Sequence, residues 1–263
     1  MIIAGLLFFM AYKEFGFLAT LLLLVLFVAL IMFKRRAKIL TRLASQLYFI
    51  NGDIEKAGKL FETAYKTGDM DARCKINYSA FCLRENRFEK GKRLLNEVIN
   101  SKRTQTNDKL DAKHNLAVLL FKEGETDEAV NMMEMVHKQQ PKTDTFASLG
   151  VFYLQKAKEE NPLNYLPFMM EAYDYNSDDK TICDNLGELY FVLGEVEKAK
   201  EIYEKAMTLK FYTPVPYYNY GRVLKALGEK EKAKEYFLKA LECKFTSVIT
   251  ITREDVQKEL EEL

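Results

Sequence analysis

Laid on itself with an offset of 34 residues, the stretch from Thr181 falls into step with the stretch from Val215. Asn185 meets Asn219, Gly187 meets Gly221, Gly194 meets Gly228, Ala199 meets Ala233, Tyr203 meets Phe237 and Ala206 meets Ala240. A fixed period of this size means that one supersecondary unit recurs and buries its apolar face by stacking on the next copy. Two apolar runs with helical spacing flank Gly194 in one copy and Gly228 in the other, so the unit is a helical hairpin. This constraint excludes sheet-based folds for most of the chain.

The same frame continues toward the N-terminus. A small residue of the first helix falls at Ser45, Ser79, Ala117, Gly150, Gly187 and Gly221, and a bulky residue of the second at Phe61, Leu95, Met133, Met169, Tyr203 and Phe237. Antiparallel helices approach closely only where small side chains mark the crossing, and the bulky residue fills the space beside it. The turn residue is Gly52, Asn86, Gly124, Gly194 or Gly228, types that tolerate the left-handed conformation ending a helix. This period and pattern resemble the tetratricopeptide repeat across about residues 38–247, most closely in the last two units. The resemblance implies an all-α fold, a right-handed α-solenoid of about six hairpins at 38–71, 72–109, 110–142, 143–179, 180–213 and 214–247. Residues 248–263 are expected to form a C-terminal capping helix, opened by a capping box from Thr252 to Asp255. Ser101–Asp108 and Glu159–Pro162 read as solvent loops, and Pro167 falls early in its helix, where proline is tolerated.

Residues 1–36 differ in kind. Their only charges are Lys13, Glu14, Lys34, Arg35 and Arg36, which leaves 35 basic and 37 acidic side chains for the rest of the chain. Phe17–Phe33 is apolar except for Thr20. With Phe15 and Gly16 the run is long enough, at about 28 Å as a helix, to cross a bilayer's hydrocarbon core. The basic cluster follows the apolar run instead of preceding it, which reads as an uncleaved anchor and not as a cleaved signal. The main span is expected over 15–33, with the basic end and the repeat body on the cytoplasmic side of the cell (inner) membrane. Ile2–Tyr12 is a second, shorter apolar run; it either lies in the interface or forms the short arm of a hairpin with Gly16 near its turn. From Phe17 to Asn51 there is neither Gly nor Pro, so the span is expected to run into the first repeat helix without a flexible linker.

Chemistry finds little footing. Cys74, Cys82, Cys183 and Cys243 include no C-x-x-C pair, and His114 and His137 have no ligand-spaced partner, so no metal or cofactor is expected. The net charge of +1 lacks the basic excess of a nucleic-acid binder. No catalytic constellation appears, and the chain is not expected to be an enzyme.

Function is therefore expected in the groove that the resemblance implies along the first helices. Its candidate lining is Phe49, Arg73, Leu83, Arg84, His114, Val118, Phe121, Lys122, Val151, Leu154, Phe191 and Arg222. Aromatic side chains at such sites either pack against the next unit or face a ligand, and the residues alone leave both readings open. Asp111 stands where a two-carboxylate clamp for acidic tails would need a cation, so that variant of the family is not expected. The expected role is a membrane-anchored cytoplasmic scaffold that binds a peptide or helix of a protein partner, with acidic residues directed toward Arg42, Arg73 and Arg84. The alternative is a self-assembling membrane protein whose groove takes a segment of another copy.

Overall fold

The computed structural model describes residues 2–209, 211–245 and 251–263, with the backbone alone for residues 2–12 and 15. Among the described residues there are fourteen α-helices, one short 3-10 turn and no strand. The chain divides into two compact units, Met1–Phe81 and Cys82–Leu263.

The first unit holds α1 (Ile2–Lys34), α2 (Arg36–Phe49), α3 (Ile54–Lys66) and most of α4 (Ala72–Arg84). Helix α1 is broken at Gly16, whose φ of 76° and ψ of 177° no helix can contain. From Gly16 to Lys34 it is nineteen residues long, with mean hydropathy 2.9 and no part of it buried. Between α1 and α2 only Arg35 leaves helical geometry. The hydrogen-bond ladder passes through it, from Arg35 N–H to Ile31 O and from Ile39 N–H to Arg35 O, both 3.0 Å. The expected absence of a linker is what the backbone shows. Arg36 is tied down at this joint: its guanidinium lies 4.0 Å above the Phe33 ring and donates to Asp69 at 2.9 Å. Helix α2 turns Ala37, Thr41 and Ala44 inward and packs on α3, which offers Ala57, Gly58, Phe61 and Ala64. Phe61 in turn stacks flat on Tyr78 at 4.9 Å.

The second unit continues from the end of α4 through α5 (Phe88–Asn100), α6 (Thr106–Lys122), α7 (Thr126–Gln139) and α8 (Thr143–Lys156). A 3-10 turn at Pro162–Tyr165 leads into α9 (Leu166–Tyr175), followed by α10 (Lys180–Val192), α11 (Val196–Ala206), α12 (Pro214–Ala226), α13 (Lys230–Glu242) and α14 (Arg253–Glu261). Each hairpin packs on the next, and first helices also meet directly, α6 with α8, α8 with α10 and α10 with α12. This is the stacking expected of a helical-hairpin solenoid.

The repeating turn has one physical form. Gly194 N–H donates to Phe191 O (3.0 Å) and Glu195 N–H to Tyr190 O (2.9 Å), with Gly194 at φ 78°. Gly228 and Gly124 repeat this Schellman closure, and Asn86 makes it at φ 55° as a non-glycine in the left-handed region. The small first-helix positions are also explained: a Cβ on Gly187 would stand 2.7 Å from the Tyr203 ring, and one on Gly221 would stand 2.6 Å from that of Phe237.

Two boundaries differ from the sequence reading. Helix α6 starts at Thr106, inside the expected loop, because Asp108 then lies in its first turn, where a carboxylate is favoured by the helix dipole. The final helix ends at Glu261 and not at Leu263. Its start is as expected: Thr252 Oγ1 accepts from Asp255 N–H (3.1 Å) while Asp255 Oδ2 accepts from Thr252 N–H (2.7 Å). Val256 of α14 is fully buried in the cluster formed with Tyr220, Val223, Leu224, Phe237 and Ala240, so α14 covers the end of the last hairpin. The expected boundary between 247 and 248 lies outside the described residues.

Candidate functional site

Four successive first helices of the second unit, α6, α8, α10 and α12, line an open groove of about 400 Å³. Phe121, Val151 and Leu154 give it an apolar floor. Phe121 serves two ends, since its ring is half-buried and stacks on the buried Phe152 at 4.3 Å. The far wall is polar and comes from α10 and α12.

That wall is built on a buried carboxylate. Asp184 accepts from the Tyr203 hydroxyl (2.9 Å) and from the Asn219 amide (3.1 Å), and all three side chains are buried. Burial, reinforced by the neighbouring Glu188 charge, raises the Asp184 pKa to about 7 against the pull of its two hydrogen bonds. Glu188 is also raised by burial, although Arg222 bonds its Oε1 at 2.9 Å. The Arg222 guanidinium is sandwiched, 4.7 Å from the Phe191 ring centre and 5.6 Å from that of Tyr218. Asn185 donates to Ala147 O at 2.9 Å. Asn185 and Asn219, one period apart, thus each reach back to the preceding first helix and tie neighbouring units together.

Of the candidate residues, Phe121, Val151, Leu154 and Arg222 line this groove, and Phe191 lies against Arg222 beside it. Val118 and Lys122 are half-buried on α6, and burial lowers the Lys122 pKa. His114 is a packing residue: its Nε2 lies 3.2 Å from Ser148 Oγ on α8, and burial lowers its pKa. Leu83 is half-buried and Arg84 exposed at the end of α4. Phe49 and Arg73 are exposed residues of the first unit and take no part in a groove built by the second. Asp184 is a buried centre that nothing in the sequence marks, since its position one residue before Asn185 carries no signal of burial. Val192 and Val215, at groove-facing positions of the repeat frame, also line the groove, and so does Lys158, which lies outside that frame.

The arrangement offers shape, apolar surface and hydrogen-bonding edges. Among the described residues no group of three His, Cys, Asp or Glu side chains is placed to hold a metal ion. Burial pushes the Cys74 and Cys183 thiols up to about 11, which keeps them protonated and unreactive.

Residues 110–138, 181–212 and 216–245 match the tetratricopeptide repeat family. No curated protein matches the sequence. Among solved structures, MamA (41-end) from Desulfovibrio magneticus RS-1 is 22% identical with a TM-score of 0.50, covering 65% of this chain and 93% of its own. The MamA RS-1 ArsTM double mutant is 23% identical with a TM-score of 0.50, over 65% and 93%. A thermophilic TPR protein from Thermus thermophilus is 18% identical with a TM-score of 0.49, over 86% and 97%. At such identities the two MamA structures speak to the fold alone. With three of its hairpins matched in sequence and its helices stacked in that manner, this chain carries tetratricopeptide repeats.

Proposed function

We propose that this protein is a membrane-anchored scaffold without catalysis of its own, which holds a segment of a partner protein in the groove of its second unit. The observation that carries the reading is the groove itself: an apolar floor of Phe121, Val151 and Leu154 faces a polar wall in which Arg222 is paired with Glu188. Such a surface rewards a ligand that buries one or two apolar side chains and offers main-chain groups to the wall. The exposed Lys158 on the rim favours an acidic residue in the bound segment.

The anchor is the apolar helix Gly16–Lys34, unburied along its length. Lys34, Arg35, Arg36 and Lys38 follow it directly and favour the cytoplasmic leaflet, which sets the repeats on the cytoplasmic side. Leu154→Glu tests the binding reading. Leu154 is half-buried at the groove floor, so the variant should keep its helical content and cooperative melting while co-isolation of membrane partners falls at least tenfold. A folded Leu154→Glu protein with wild-type partner yield contradicts it. Topology is tested separately: a tag after Leu263 should resist protease added outside intact cells, and digestion there contradicts the cytoplasmic placement.

A further inference from the structure

One flank of α2, beside the stripe that faces its core, is apolar. Ile39, Leu43 and Ile50 are 38%, 46% and 77% exposed, and Leu40 and Leu47 beside them are half-buried. At about 100° per residue these five fall in one arc, beside the stripe of the buried Ala37, Thr41 and Ala44. A stripe of this kind in water marks an interaction surface. We propose that α2 pairs in parallel with α2 of a second copy of this chain, along the seam Leu40, Leu43, Leu47 and Ile50.

The spacing of that seam is three, four, three, the alternation that keeps one edge of a helix against a parallel partner. Of the positions flanking it, Ile39 and Gln46 on the open side carry no charge and Ala37 and Ala44 on the other are packed against α3, so two identical copies meet without repulsion. One turn upstream the seam position is Arg36, and its guanidinium is already directed to Asp69 and the Phe33 ring. Lipid is the competing cover, and crosslinking between copies separates it from pairing. A shared anchor also sets two copies parallel, in register and at high local concentration.

The inference rests on the proposed membrane anchor, and the experiment separates the two. Full-length protein in native membranes, with Cys243 changed to Ser, receives one cysteine by Leu43→Cys, Ile50→Cys or, as a control on exposed α3, Lys59→Cys. Alkaline carbonate extraction of the same membranes reports the anchor. Mild oxidation should give a disulfide-linked species of twice the chain mass at positions 43 and 50, at least fivefold more than at 59. Leu43→Glu with Ile50→Glu should shift detergent-solubilised full-length protein from dimer to monomer in light scattering, with unchanged far-UV helical signal. Protein retained by the membranes but crosslinked equally at all three positions, not at all, or to a product of another mass overturns the pairing and leaves the anchor standing. Protein released by carbonate overturns both.

Discussion

Two residues show how single side chains set the stack. At Gly221 the helix gives up the stability that alanine would bring, on the order of 1 kcal/mol, so that the Phe237 ring can lie against its backbone. Gly221→Ala is expected to lower stability by about 1–3 kcal/mol despite the better helix former, because a rigid ring must move. Urea denaturation measures this, and a stabilised variant would refute the packing role. Asp184 makes the opposite kind of contribution. Its folded-state pKa near 7 lies above the ordinary 3.8, so between these values the folded protein holds a proton that the unfolded chain has released. The stability due to this group is full below about pH 4 and declines as pH rises through 7. Asp184→Asn should remove up to about 4 kcal/mol of the fall in stability between pH 4 and 8. Parallel pH series of denaturation curves for the two proteins would show this, and superimposable slopes would contradict it.

At the scale of elements, the turns were legible in the sequence because their requirement is local. A helix that stops with a left-handed residue needs Gly or Asn there, and Gly52, Asn86, Gly124, Gly194 and Gly228 all have positive φ. The capping box at Thr252 was legible for the same reason. The start of α6 was not, since polar Thr106–Asp108 suits a loop and a first helical turn equally well. In the groove, Phe121, Val151, Leu154 and Arg222 were found through the repeat frame, whereas the Asp184–Tyr203–Asn219 network needed three helices in place before any pattern joined them. The joint between α1 and α2 is an element-scale claim with its own test. Amides of residues 36–40 should exchange slowly in detergent micelles, since the helical ladder crosses Arg35. Exchange there as fast as in an unstructured peptide would contradict a continuous joint.

For the whole molecule, the proposed function joins an apolar helix followed by basic residues, as the tether, to the groove of the second unit, as the binding surface. The central claim is that partners are held by the groove formed by α6, α8, α10 and α12. The most direct test places a photoactivatable crosslinking residue at Leu154, on the groove floor, and at Met170, exposed on α9, in full-length protein in its native membranes. A discrete protein adduct is expected from position 154, absent from position 170 and lost when Val151 is also changed to Glu. Adducts of the same pattern and yield from both positions, or an adduct at 154 that survives Val151→Glu in a folded protein, would contradict it.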